Sequence, residues 1–239
     1  MTDPMLFDFT ETTDSWATKL AVFDLETTGV DVETARVVTA FLGVLDADGE
    51  IVERHEWLID PGVEIPAGAA AVHGISTERA RAEGLPAHVG VAEIVDRLAA
   101  LLAAGLPIVA YNAAYDFSVI DREAIRYAIP PLETPGPIID PFVLDKAVER
   151  YRRGKRTLTA TTEHYGVPLE SAHDAGADAV AAGRLAQAIG NRYPQLLEVE
   201  ADELHRRQID WAREQAESYQ QFRRRTEPSF TTSGTWPVR

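Results

Sequence analysis

The sequence has 239 residues, of which 45% are hydrophobic and 26% charged, a composition typical of a globular protein with an ordinary core. The formal net charge of −15 argues against nucleic-acid binding through overall charge. The lack of cysteine excludes a disulfide framework, a thiol nucleophile and a cysteine-ligated zinc site. No apolar run reaches the roughly 18–20 residues of a membrane span, and the acidic N-terminus is unlike a secretory signal. We therefore expect a cytoplasmic protein.

The charge is unevenly distributed along the chain. Residues 1–145 carry 8 basic and 25 acidic side chains, whereas residues 146–239 carry 15 basic and 13 acidic ones. Six of the basic residues lie between Lys146 and Arg156. This pattern fits a protein that collects cations in one half and contacts a polyanion at one place. It fits equally well an acidic protein with a solvated basic loop.

Hydrophobic patterning predicts strands first and then alternating strands and helices. Apolar segments of strand length occupy residues 19–25, 37–45 and 51–59, and the Asp-rich connection with Gly49 favours a hairpin between the last two. Beyond this antiparallel meander we predict helices over residues 66–72, 76–83, 89–104, 115–128, 142–151, 158–165 and 172–189, with strands over 107–111 and 138–140. This order indicates an α/β fold, a mixed sheet with helices packed on it.

The two ends of the chain are predicted to differ from the middle. Residues 1–17 form an N-terminal arm, residues 18–192 the main domain, and residues 193–239 a C-terminal helical extension and tail. Within the extension, residues 203–225 are predicted to form a helix. The residues whose spacing puts them on one face of this helix are Leu204, Gln208, Trp211, Ala212, Gln215, Tyr219 and Phe222. Such a face either docks onto the domain or binds a partner.

Two acids mark the end of the first predicted strand. Asp24 and Glu26 stand two residues apart, so both side chains leave the same face of the sheet. Two like charges about 4 Å apart repel by roughly 4 kcal/mol at an effective dielectric near 20. A divalent cation is the usual way to offset that repulsion. Taken alone, however, an Asp-x-Glu pair is also typical of a strand end that meets solvent.

Two further motifs carry acids at predicted helix starts. Asp116, in the segment NAAYDF at residues 112–117, lies in a first helical turn, where the helix dipole already favours an acid. Residues 173–178 read HDAGAD and bring His173 and Asp178 to the start of another helix, among small residues that allow close packing. Each motif alone also has a purely structural explanation.

Taken in order, these motifs resemble those of the DEDDh (DnaQ-like) 3′→5′ exonucleases, which have a ribonuclease H-like fold. The matching segments are FDLETTG at 23–29, NAAYDF at 112–117 and HDAGAD at 173–178, and VHGI at 72–75 is similar to the family's terminal-nucleotide loop. The resemblance covers roughly residues 18–190 and is strongest to the proofreading epsilon subunit of bacterial DNA polymerase III and its stand-alone relatives. The histidine branch is indicated because Asp174 stands where the other branch has tyrosine. Tyr111 departs from the family, which often has histidine there.

The resemblance implies a five-stranded mixed sheet flanked by helices and a catalytic set of Asp24, Glu26, Asp116, His173 and Asp178. It implies two divalent cations, Mg²⁺ or Mn²⁺, held by the four carboxylates. Asp24 would bridge both ions, Glu26 and Asp178 would complete the site that activates water, and Asp116 would hold the second ion largely through water. His173 would be the general base, since an imidazole pKa near 6.5 suits proton removal at neutral pH.

The same resemblance implies a set of substrate contacts and partners. The 3′-terminal nucleotide would lie against the FDLETTG and VHGI segments, Asn112 would position its sugar or phosphate, and the basic segment would contact upstream phosphates. The predicted contact residues are Leu25, Thr27, Thr28, Gly29, His73, Ile75, Asn112, Lys155 and Arg156. The expected substrate is the 3′ end of single-stranded DNA in proofreading or repair. A polymerase or another replication protein is a possible partner of the C-terminal helix.

Two alternatives remain open. In the first, the enzyme is also a 3′→5′ exonuclease but its substrate is RNA, as in ribonuclease T or oligoribonuclease. No residue in the sequence indicates whether the 2′-hydroxyl is recognised. The other is a non-catalytic nucleic-acid-binding subunit of the same fold. Retention of all five reactive residues argues against it.

Overall fold

The computed structural model describes residues 15–132, 136–169 and 174–239. The predicted N-terminal arm therefore lies mostly outside the described residues. The strands are β1 (Leu20–Thr27), β2 (Val37–Leu45), β3 (Ile51–Asp60), β4 (Leu85–Pro86), β5 (Ile108–Val109) and β6 (Ile138–Ile139). The helices are α1 (Ala67–His73), α2 (Thr77–Glu83), α3 (Ala87–Ala103), α4 (Ala114–Arg126), α5 (Pro141–Val148), α6 (Leu158–Tyr165), α7 (Ala175–Arg192), α8 (Pro194–Leu197) and α9 (Ala201–Arg223).

The predicted α/β class and meander are confirmed. The strands are ordered β4-β3-β2-β1-β5-β6, with β2 antiparallel to both β1 and β3 and with β5 and β6 parallel to β1. The β2–β3 turn forms because the Asp46 carboxylate accepts the backbone N–H groups of Asp48 and Glu50, and Gly49 adopts a φ of 77°. The predicted strand count of five was wrong by one. The two-residue strand β4 pairs in parallel with the end of β3 and adds a sixth.

Helices cover both faces of the sheet and enclose a core on each side. One core packs α3 and α4 onto the sheet around Phe23 and Phe117, whose ring centroids lie 5.8 Å apart. The other packs α7 against β1 and β2. Gly183 makes this close approach possible, because a Cβ there would lie 2.4 Å from Val22 Cγ1. The described helices include none that is long and apolar enough to cross a membrane.

Helix α9 docks onto the domain through its first half. Leu204 and Gln208 are fully buried, and the Gln208 side chain bonds the backbone of β6, accepting from Asp140 N–H at 2.7 Å and donating to Ile138 O at 3.0 Å. Further along the predicted apolar face, Tyr219 and Phe222 are 46% and 60% exposed. The face therefore serves as a docking surface at one end and remains open at the other.

Candidate active site

The central strand β1 presents Asp24 and Glu26 beyond the end of its parallel neighbour. β5 pairs only with Ala21 and Val22, so the second half of β1 continues past it and leaves room for other elements. Asp24 and Glu26 lie opposite Phe41 and Thr39 of β2. Because side chains alternate along a strand, both carboxylates point to one face of the sheet at this edge.

Helix α7 delivers a third carboxylate to the same place. Asp174 caps the helix by accepting Ala177 N–H at 2.9 Å, and Asp178 follows in the first turn. A Cβ at Gly176 would lie 3.0 Å from the Phe41 ring, so this end of α7 also packs tightly on the sheet. As a result, one carboxylate oxygen each of Asp24, Glu26 and Asp178 lie within 4.8 Å of one another.

The fourth acid, Asp116, lies beside this group and is only 3% exposed. It stands in the first turn of α4, and its Oδ1 accepts the Leu25 backbone N–H at 3.2 Å. Leu25 separates Asp24 from Glu26 in the chain, so this bond joins Asp116 to the strand that carries the other two acids. The predicted substrate contact Leu25 is itself buried, and its N–H is already bonded.

Burial and neighbouring charges raise the pKa values of Asp24, Glu26 and Asp116. Burial, followed by the charges of Asp116 and Asp178, raises the pKa of Asp24 well above its ordinary value. Burial and the charge of Asp178 raise the pKa of Glu26 to about 7. Burial also raises the pKa of Asp116, against the effect of its backbone hydrogen bonds. Carboxylate oxygens are the donors that Mg²⁺ and Mn²⁺ prefer. The donor set therefore fits a divalent cation.

Asp140 organises the turn that leads to Asp116. It is 1% exposed, and its carboxylate accepts the backbone N–H groups of Asn112 (2.9 Å) and Ala113 (3.0 Å) from that turn. It also accepts Phe142 N–H (3.0 Å), which caps α5, and Trp236 Nε1–H (3.3 Å). Asn112 is held with a φ of 60°. The motifs in the sequence do not mark Asp140, although an acid directly after a buried strand is a signal for such a role.

The Thr27–Gly29 loop is fixed by Tyr115, the residue before Asp116. The Tyr115 hydroxyl bonds the Thr27 hydroxyl and donates to Gly29 O, while the backbone of Thr28 pairs with Arg36. A Cβ at Gly29 would meet no protein atom within 4 Å, so the fold itself does not require glycine there. The loop is thus rigid and open on the side of Gly29.

His73 and Ile75 share an open groove of about 500 Å³ with Glu26. The same groove is lined by Trp57 and Arg79. His73 Nδ1 accepts Ile75 N–H at 3.2 Å, and burial lowers the pKa of the imidazole. The neutral ring therefore carries its hydrogen on Nε2. The structure brings these two predicted contacts to Glu26.

The remaining predicted contacts are spread around the site. Asn112 borders a different cavity, on the side of the C-terminal extension. Lys155 is exposed. Arg156 forms an ion pair with the fully buried Asp145, which also binds Arg152 at 2.7 Å. The Arg156 guanidinium is thus engaged inside the protein, which the charge count of the segment could not reveal.

The predicted general base, His173, lies outside the residues that the structure describes.

Residues 21–186 match the exonuclease (RNase T) family. The chain belongs to this exonuclease family. A DNA polymerase III subunit epsilon-like protein of Rhodobacter capsulatus is 32% identical over 164 residues, covering 67% of this chain and 22% of that protein. A PolC-type DNA polymerase III of Lacticaseibacillus paracasei is 26% identical over 186 residues, covering 78% of this chain and 12% of the polymerase. The chain thus spans only a small part of these relatives.

Solved structures share the fold of this exonuclease chain. Escherichia coli exonuclease I in complex with a dT13 oligonucleotide has a TM-score of 0.62 at 20% identity, over 76% of this chain and 43% of the other. Exonuclease I from Methylocaldum szegediense has a TM-score of 0.61 at 21% identity, over 75% and 42%. The carboxylate cluster of Asp24, Glu26 and Asp178 lies within the matched exonuclease residues.

Proposed function

We propose that this chain is a metal-dependent 3′→5′ exonuclease of the DEDDh type that removes nucleoside 5′-monophosphates from the 3′ end of single-stranded DNA. The observation that carries the proposal is the convergence of the Asp24, Glu26 and Asp178 carboxylates in a chain of the exonuclease family. The DNA oligonucleotide bound to exonuclease I and the polymerase names of the relatives support DNA as the substrate and proofreading or repair as the setting.

In this proposal Asp24, Glu26, Asp116 and Asp178 hold two divalent cations, Mg²⁺ or Mn²⁺. When bound, such ions neutralise charge on the phosphodiester and lower the pKa of water. The contacts within the protein position these four carboxylates. The bond from Leu25 N–H holds Asp116 beside the strand of Asp24 and Glu26, and the Asp174 cap holds the first turn of α7, which carries Asp178. The rigid loop at Thr27–Gly29 and the groove at His73 would orient the terminal nucleotide.

We assign the general base to His173, on its place in the HDAGAD motif. Its neutral imidazole would take the proton of the attacking water. His173→Ala should abolish hydrolysis and leave Mn²⁺ binding intact. Turnover equal to that of the unmodified protein would overturn this role.

The test of the function is a time course on DNA and RNA strands of one sequence, each labelled at the 5′ end, with Mg²⁺, with Mn²⁺ and with chelator. We expect a ladder that shortens from the 3′ end of DNA, requires the metal and disappears in Asp178→Asn. Faster loss of the RNA strand would instead identify an exoribonuclease. Intact strands in the presence of folded, metal-loaded protein would identify a binding subunit.

Association with a polymerase is proposed from the relatives and from the exposed end of α9. Because Gln208 anchors α9 to β6, truncation of the helix would disturb the fold. A point variant at Phe222, which is 60% exposed, is the better probe. We expect Phe222→Ala to keep nuclease activity and lose co-purification with a polymerase subunit, and unchanged co-purification would refute this surface.

A further inference from the structure

A second cavity borders the turn that leads to Asp116 and shares no lining residue with the His73 groove. Its volume is about 400 Å³, and it is lined by α5, α9 and the tail segment 232–236, with Asn112 at its border. Two of its three walls, α9 and the tail, lie beyond the residues that match the exonuclease family. The cavity is therefore a feature of this chain's extension, and the catalytic function as proposed makes no use of it.

The tail that lines the cavity packs on the rest of the domain. Trp236 is 6% exposed, its ring lies 5.0 Å from that of His205, and its Nε1–H donates to the Asp140 carboxylate. A Cβ at Gly234 would lie 2.9 Å from the Arg213 Cα, so the tail packs directly on the backbone of α9. The wall is thus part of the folded structure, and Asp140 connects it to the turn that carries Asn112.

One wall of the cavity provides a cation. The Lys146 ammonium lies 3.8 Å from the centroid of the Phe142 ring and is half-buried. Within the described parts of the chain no carboxylate lies within ion-pair distance of it, because the neighbouring Asp145 is bound to Arg152 and Arg156 instead. Burial lowers the pKa of this ammonium, and an anion in the cavity would offset that effect.

The remaining residues that line the cavity suit a ligand that has both an anionic group and an apolar part. Asp140 also borders it, but four N–H donors occupy that carboxylate. The lining also includes the cationic Arg239, the hydroxyl groups of Thr232 and Thr235, and the aliphatic surface of Val143 and Ala216. A volume of this size lies within the range of about 300–1,000 Å³ that is usual for small-ligand sites.

We propose that this cavity is a second nucleotide site, in which Lys146 binds the phosphate and the apolar wall receives the sugar or base. The occupant has the chemistry of a nucleoside monophosphate, either an internal nucleotide of the bound strand or a free one. Because the chain carries a net charge of −15, an anion needs such a local cation to be held near the acidic catalytic cluster. The role of the site in hydrolysis rests on the proposed exonuclease function, whereas binding of a nucleotide does not.

The first experiment compares Lys146→Gln and Lys146→Arg with Lys19→Gln, a change at an exposed lysine at the start of β1. The readout is kcat/KM for a single-stranded oligonucleotide divided by kcat/KM for thymidine 5′-p-nitrophenyl phosphate, which fills only the catalytic position. We expect this ratio to fall about tenfold in Lys146→Gln, the usual effect of losing a charge-assisted hydrogen bond. Arginine should restore it, and Lys19→Gln should leave it unchanged. An unchanged ratio in Lys146→Gln refutes a site for the strand.

The second experiment titrates thymidine 5′-monophosphate and inorganic phosphate onto the full chain in chelator, where hydrolysis is absent. Binding of the nucleotide that weakens about tenfold in Lys146→Gln, and remains in Lys19→Gln, identifies a site for the free nucleotide. Absence of nucleotide binding together with a reduced ratio identifies the strand as the occupant. If Lys146→Gln changes neither measurement, the proposal is wrong. If the unmodified chain cleaves nothing, the proposed function fails and this titration alone decides on the cavity.

Discussion

Replacing Glu26 by glutamine should stabilise the metal-free protein at pH 8. The pKa of Glu26 is raised from 4.5 to about 7, mainly by burial and by the charge of Asp178. At about 1.36 kcal/mol per pKa unit, this shift corresponds to roughly 3 kcal/mol, and we take on the order of 2 kcal/mol after allowance for solvent screening of this half-buried group. For a chain of this size that is a rise of roughly 4–8 °C in Tm.

The sign of the effect depends on pH in a defined way. The pKa of Glu26 is higher in the folded state than in the unfolded state. The stabilisation that comes from protonated Glu26 is therefore fully present below about pH 4.5 and is lost as the pH rises through about 7. Glu26→Gln should therefore match the unmodified protein near pH 4.5 and exceed it at pH 8. The assay is thermal unfolding in chelator at both pH values, with Glu214→Gln on the exposed surface of α9 as the control.

Addition of Mg²⁺ or Mn²⁺ should reverse the order at pH 8. The cation stabilises the unmodified protein by binding the folded state, and Glu26→Gln should lose most of that gain together with nuclease activity. A Glu26→Gln variant that is less stable than the unmodified protein in chelator at pH 8 would refute the view that these carboxylates repel one another in the metal-free fold. An equal rise in Glu214→Gln would show that only net charge matters.

Three further outcomes follow from the contacts. Trp236→Phe, which removes one N–H bond to the Asp140 carboxylate, should cost about 1 kcal/mol in urea unfolding, and an unchanged midpoint would contradict that bond. Gly29→Ala should leave unfolding stability within about 0.5 kcal/mol, because no protein atom approaches, and should raise KM for DNA; a marked loss of stability would contradict the open loop. Arg152→Met should cost about 3–5 kcal/mol by leaving the buried Asp145 short of a partner, and a loss below 1 kcal/mol would show that Arg156 suffices.

The strands with clear apolar patterns were predictable from the sequence, and the shortest was not. Residues 37–45 form β2 as predicted, because a strand buried on both faces is apolar throughout. The two-residue strand β4 has no pattern of its own. It exists because Leu85 and Pro86 meet the end of β3, and that contact depends on where α2 ends. Pairing between distant segments is set by packing, which a local pattern does not record.

The four acids of the site could be predicted from the sequence, whereas the residues that hold them in position could not. The motifs marked Asp24, Glu26, Asp116 and Asp178 because the residue types and their order carry the chemistry. Asp140 acts through backbone groups 27 and 28 residues earlier in the chain and an indole 96 residues later, and no local signal links those positions. Likewise, the basic segment looked like a phosphate-binding surface, whereas Arg156 forms an internal ion pair.

The most direct test of the account is to titrate Mn²⁺ onto the metal-free protein by calorimetry and to assay DNA hydrolysis in the same samples. We expect the unmodified protein to bind Mn²⁺ and to gain activity in step with occupancy, and we expect Asp24→Asn, folded and at least as stable in chelator, to lose both. Hydrolysis that persists in Asp24→Asn, or Mn²⁺ binding of undiminished affinity in that variant, would contradict the assignment of this carboxylate cluster as the catalytic metal site.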